Sequence, residues 1–266
     1  MAVSVSSFKV CPKFGQESSG GFDLYWTING ATFPPTFQVS IADTESGPWT
    51  PLLVTKTTDL FLLGAGTQRL NMQPALTWFK LGVYDGATLK IESRAMDSRN
   101  GMSRQQYLRY REILRRHRLY FDKGPVNPGF LVRRKIYGTK CNVCMDPILS
   151  SPASSECGTC YGTGIIGGYF TPVRMTADWA AGVVPRVSNT SKESPGPQQI
   201  QKTSIRIFGY PDAKSEDLWF DLGTRFFYLV ETVTPEQWVG SVLTQSLAIS
   251  KLPSHHQVYK LSVPLS

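Results

Sequence analysis

Histidine is scarce in this chain, with three in 266 residues: His117, His255 and His256. His117 lies among arginines and the other two are adjacent in a turn after Pro253, so imidazole chemistry has little to draw on. There is no G-x-S-x-G nucleophile elbow, no phosphate-binding Walker loop and no H-E-x-x-H pair. Serine hydrolases of that type, P-loop nucleotidases and zinc peptidases are therefore excluded, and no enzyme is expected. No apolar run approaches 18 residues, which argues against a membrane-spanning helix. The first residues, MAVSVSSFKVCPKFG, lack both a basic start and an apolar core, so they do not read as a secretory signal. A reducing compartment is expected, in which cysteines stay as thiols and take metal. Internal repeats and heptad arrays are absent as well.

Cysteine is also sparse, five in all, yet four fall in two short pairs, Cys141-Asn-Val-Cys144 and Cys157-Gly-Thr-Cys160. C-x2-C, twelve residues and C-x2-C place four thiolates on two tight turns. That suits a tetrahedral zinc ion with Zn–S of about 2.3 Å. Four protein ligands leave no position for water, so the expected Zn2+ is structural. A disulfide pairing among the same four is the alternative. Cys11 stands alone and reads as a small buried residue of the first strand. The string Cys157-x-x-Cys160-x-Gly162-x-Gly164 matches one zinc unit of the J-domain chaperones. Those carry four such units and a His-Pro-Asp triplet, which this chain lacks. A thioredoxin-like redox reading of Cys141-x-x-Cys144 needs a strand-to-helix context that the flanks do not offer.

The net charge of +8 is concentrated. Between Arg104 and Lys140 stand eleven Lys/Arg against Glu112 and Asp122, a net +9, which leaves −1 for the rest. Such an element is either a solvated face or a surface that meets nucleic acid or a partner's carboxylates. Arg104, Arg109, Arg111, Arg115, Arg116 and Arg118 are the candidate contacts, to phosphate or to a subunit interface.

The expected fold is mainly β, in four parts. Residues 1–95 read as an immunoglobulin/fibronectin III-like sandwich of seven short strands. These are Phe8–Cys11, Phe22–Ile28, Thr36–Ala42, Pro51–Thr55, Leu60–Leu63, Thr77–Tyr84 and Thr88–Ser93. Phe22, Leu24, Trp26 and Ile28 alternate with Asp23, Tyr25 and Thr27, which predicts one buried and one wet face. Phe79, Leu81 and Val83 alternate likewise with their neighbours. Residues 96–129 form a basic helical linker. Ser103 and Gln106 make a capping box, the helix runs to about Phe121, and Tyr107, Tyr110, Leu114 and Phe121 form its apolar stripe. Glu112 is placed to pair with Arg115 or Arg116.

Residues 130–175 form a zinc-ribbon-like module with strands Phe130–Tyr137 leading in and Ile165–Met175 leading out. The loop Pro147–Glu156 is small and polar. Residues 176–266 form a small β-barrel with strands at Ser204–Phe208, Leu218–Asp221, Phe226–Thr232, Leu243–Leu252 and Tyr259–Val263. The stretch 186–202 reads as a long loop that is either simply flexible or ordered against a neighbouring subunit. Asp217 and Asp221 flank Trp219 and read as the wet side of an edge strand, the alternative being a cleft. His255 and His256 read as surface turn residues.

Taken together, YLRYREILRRHRLYF (107–121), RRKIYGTKCNVCMDP (133–147), CGTCYGTGIIGGYF (157–170) and SKLPSHHQVYKL (250–261) resemble a structural protein of contractile-tailed bacteriophages. The last domain, through DLWFDLGTRFFYLVETV (217–233), is similar to the β-barrel of phage head-closure proteins. The resemblance implies a ring-forming adaptor at the head–tail neck, located in the virion and assembled in the host cytoplasm. Its partners would be copies of itself and other virion proteins (portal, adaptor, terminator or baseplate), with non-specific contact to packaged DNA and no membrane. The alternatives are a baseplate component and a nucleic-acid-binding zinc protein.

Overall fold

The computed structural model describes residues 3–12, 22–53, 55–65, 77–145, 157–179, 186–187 and 201–264. The chain is mainly β and divides into two compact units. The first comprises Met1–Arg115 with Ile136–Thr139, and the second Arg116–Lys135 with Lys140–Ser266.

In the first unit the strands are β1 (Ser4–Pro12), β2 (Phe22–Asn29), β3 (Thr36–Ala42), β4 (Thr50–Pro51), β5 (Phe61–Ala65), β6 (Trp78–Asp85), β7 (Thr88–Glu92) and β8 (Met96–Asp97). One sheet is ordered β1-β2-β5 and the other β4-β3-β6-β7, with β8 added to β6. The rings of Phe22 and Phe79 meet edge-on at 5.5 Å, and those of Trp26 and Phe37 lie 5.6 Å apart, joining the two sheets. All seven expected strands are present, though the fourth shrinks to Thr50–Pro51.

Phe79, Leu81 and Val83 are buried as their alternation predicts. β2 departs from its pattern, because Asp23, Tyr25 and Thr27 are buried too. β2 is the middle strand of its sheet, with Lys9 and Phe61 opposite Tyr25 on its two neighbours. Cys11 is buried in β1 as expected. The Asn100 side chain bonds both the N–H and the C=O of Val10, at 3.1 and 2.7 Å.

Helix α1 (Arg104–Lys123) starts at the expected capping box. Ser103 N–H donates to Gln106 Oε1 at 3.0 Å, and Gln106 N–H to Ser103 Oγ at 3.3 Å. Tyr110, Leu114 and Phe121 are buried, with Tyr107 half-buried beside them.

In the second unit the strands are β9 (Asn127–Val132), β10 (Val173–Trp179), β11 (Arg186–Val187), β12 (Gln201–Phe208), β13 (Leu218–Asp221), β14 (Phe227–Trp238) and β15 (Ser241–Lys251). Six of them close into a barrel in the order β10-β9-β13-β14-β15-β12, with β10 returning to β12. β11 extends β12 by pairing Arg186 with Lys202 and Val187 with Gln201. The remainder of the expected 186–202 loop lies outside the described residues.

The strand register sorts the side chains. Leu131 pairs with Trp219, Ile205 with Leu247 and Val230 with Ile249, and all six are shut off from water. The opposite face carries Phe130, Val132, Leu218, Phe220 and Phe227, a second cluster joined by Val258. Gln245 ties one end together. Its amide donates to the carbonyls of Phe208, Gly209 and Pro211, and its oxygen accepts from Ala213 N–H at 2.9 Å.

Two expectations change here. β9 and β10 are neighbouring barrel strands, with Leu131 opposite Val173, so the barrel begins at Asn127 and not at 176. The cysteine segment is an excursion between those two strands. The expected strand at Tyr259–Val263 is replaced by a 3-10 turn, Gln257–Lys260, because the His256 imidazole accepts from Val258 N–H and turns the chain.

Candidate metal centre

The excursion leaves the barrel as a short ladder. Arg134 pairs with Tyr169, Phe170 N–H donates to Arg133 O, and Lys135 N–H to Gly168 O, each hydrogen bond at 2.9 Å. Lys140 then pairs with Ile165, and Cys141 N–H donates to Gly164 O at 2.9 Å. The second cysteine turn is fixed by Tyr161 N–H to Cys157 O at 2.7 Å and Thr163 N–H to Cys160 O at 3.0 Å. Gly162 and Gly164 sit at φ of +80° and +79°, which glycine adopts without strain. That accounts for the C-x-x-C-x-G-x-G string. Thr163 between them donates its hydroxyl to Cys160 O at 2.7 Å.

The four sulfurs of Cys141, Cys144, Cys157 and Cys160 lie within 4.8 Å of one another. Cys141 and Cys157 are 3.8 Å apart, Cys144 and Cys160 3.2 Å, and all four are free thiols. A tetrahedron of Zn–S bonds of about 2.3 Å has sulfur–sulfur edges of about 3.8 Å. The donor set and its spacing thus fit a metal ion, as expected from the sequence. Cys141, Cys157 and Cys160 are buried and Cys144 is half-buried. Among the described residues, the buried sulfurs of Cys141, Cys157 and Cys160, with Cys144 packed against them, form a cluster of their own.

Two of the thiols sit in unlike surroundings. The N–H groups of Cys160 and Thr159 point at the Cys157 sulfur and push its pKa down to about 6. Cys144 moves the opposite way, held up chiefly by its hydrogen bond to Cys160 and then by burial. Metal binding releases the remaining thiol protons, so affinity rises with pH. When bound, the ion would supply a crosslink between the two cysteine turns; four sulfur ligands leave it no open coordination position.

The other expected site residues are the arginines of α1. Arg104, Arg109, Arg115 and Arg116 are exposed along α1, while Arg111 and Arg118 are half-buried. Glu112 takes Arg115, through Nε and Nη2 at 3.0 and 3.1 Å, and Asp122 takes Arg118 at 3.3 Å.

Asp217 and Asp221 are not a wet edge. β13 lies between β9 and β14, and both carboxylates are buried. Asp217 accepts from the backbone N–H of Arg134 and of Lys214, both at 2.7 Å, while burial pushes its pKa up to about 6. Asp221 Oδ2 accepts from Thr224 N–H and Oγ1 at 2.8 and 2.7 Å. These carboxylates organise turns. His255 is exposed, and His256 caps its turn.

Sequence reasoning missed Arg134, Tyr161 and Tyr169. Arg134 pairs with Glu216 and also reaches the Thr163 carbonyl at 3.4 Å, tying the barrel to the cysteine segment. Together with Leu218, Leu229, Leu252 and His256 these residues line a cavity of about 140 Å3. Their only sequence signal is adjacency to the cysteine turns. No family of known proteins, no curated protein and no solved structure matches the chain.

Proposed function

We propose that the protein is a structural component of a tailed-phage virion, a ring-forming adaptor at the head–tail neck with a structural Zn2+ site. The observation that carries this reading is the kind of centre present: four sulfurs gathered into a cluster of their own among the described residues, a device for rigidity rather than turnover. The strand orders β1-β2-β5 and β4-β3-β6-β7 support a fibronectin III-like assignment for the first unit. The closed barrel supports the likeness to head-closure proteins. The arginines of α1 and the stretch 186–202 would make contacts between copies.

Light scattering and electron microscopy of the purified chain, alone and mixed with portal or tail components, test this. Discrete rings or incorporation into a particle are the expected outcome. A monomer that joins neither overturns the adaptor reading. The nucleic-acid reading predicts instead duplex affinity that collapses between low and physiological salt, because bound arginines release counterions.

A further inference from the structure

The knuckle has a second side. Tyr161 follows the ligand Cys160 directly and is held at φ of +53°. Its ring lies 6.4 Å from that of Tyr169, and both pack on the outer barrel cluster of Phe130, Val132, Leu218, Phe220, Phe227 and Val258. The C-terminal segment covers the rest of this cluster with Tyr259, Leu261 and Val263. That second cover is well anchored. Tyr259 stacks edge-on against Phe227 at 5.2 Å and donates its hydroxyl to Leu252 O at 3.1 Å.

The knuckle's hold is weaker by itself. Among the described residues its own buried cluster is of sulfurs, and four gathered thiols gain little from burial compared with aliphatic side chains. The ladder pairs that tie it to β9 are few. The ion must therefore supply most of the free energy that keeps Tyr161 in place.

We infer that the metal centre is a clasp holding Tyr161 and Tyr169 over the outer apolar face of the barrel, so that metal occupancy decides whether that face is covered. The barrel interior does not depend on it, because Leu131, Trp219, Val230, Leu247 and Ile249 are enclosed by the six strands themselves. Loss of the ion releases the knuckle and widens the partly open cavity at Leu218, Leu229 and Leu252 into a groove with an apolar floor. This rests on the metal reading of the four cysteines.

The test uses the full chain. Metal content of the reduced protein is measured first, and less than one ion per chain defeats the metal reading itself. On metal-loaded protein, chelation under reducing conditions is followed by hydrogen exchange and by fluorescence of a dye that binds apolar surface. The expected result is at least tenfold faster exchange at the amides of Lys135, Cys141, Gly168 and Phe170, unchanged protection at Val230, Leu247 and Ile249, and a rise in dye fluorescence.

Tyr161→Ala is the second arm. It should keep one ion per chain yet bind the dye without chelation. If chelation unprotects the barrel strands together with the knuckle, or changes neither exchange nor dye binding, the clasp is wrong although the metal site stands. A Tyr161→Ala chain that keeps its metal and stays dark to the dye also overturns it.

Discussion

Asp217 shows how a single carboxyl can set pH dependence. Burial outweighs two backbone donors and raises its pKa from 3.8 to about 6. A group protonated more readily when folded favours the fold fully below its unfolded value, and that contribution is lost as pH rises through the folded one. Stability should therefore fall between about pH 4 and pH 7 by about 3 kcal/mol from this residue. Asp217→Asn should flatten that slope in urea titrations at several pH values. It should also cost about 1–3 kcal/mol at low pH, since the amide NH2 faces an N–H it cannot accept from.

Gly129 is a residue of a different kind. A Cβ there would meet the Trp219 indole and come within 2.6 Å of Phe220 O. Gly129→Ala should lower the unfolding free energy by about 1–3 kcal/mol, read as a lower denaturant midpoint. Nothing in Asn127-Pro-Gly-Phe announces that closeness, because the tryptophan arrives from 90 residues away.

Among the elements, those fixed by neighbours in sequence were readable. Helix α1 begins where Ser103 and Gln106 exchange hydrogen bonds, both partners lying within four residues. Ser103→Ala should destabilise the chain by about 0.5–2 kcal/mol, measured by chemical denaturation against the parent. β13 ends where expected because Asp217 and Asp221 bound it with turn bonds. β2 could not be read correctly from its own alternation, since Asp23, Tyr25 and Thr27 are buried as well as the residues between them. The pairing of β9 with β10 was invisible for the same reason: Leu131 and Val173 meet across an intervening segment whose length hides them. The cysteine turns were legible because metal-ligand spacing is local. Their tyrosine-lined underside was not, because it exists only against the barrel.

At the scale of the whole molecule, Cys157→Ser separates local from global roles. The variant should lose stoichiometric metal by elemental analysis while its barrel amides keep their slow exchange. In the adaptor reading it should also fail to assemble. A variant that kept both its metal and its fold would remove the four-sulfur site from the account. Salt is the other global probe. Ring contacts built on arginine weaken with ionic strength, but duplex binding would fall by orders of magnitude over the same range.

Gln245 has one more consequence. Its amide is stitched to four backbone groups at one rim, and behind it Leu131, Ile205, Trp219, Val230, Leu247 and Ile249 are shut off from water. In the adaptor reading, a passage enclosed by a circle of these molecules would run between copies, and its bore would be set by how many stand in the circle, not by the width of the fold.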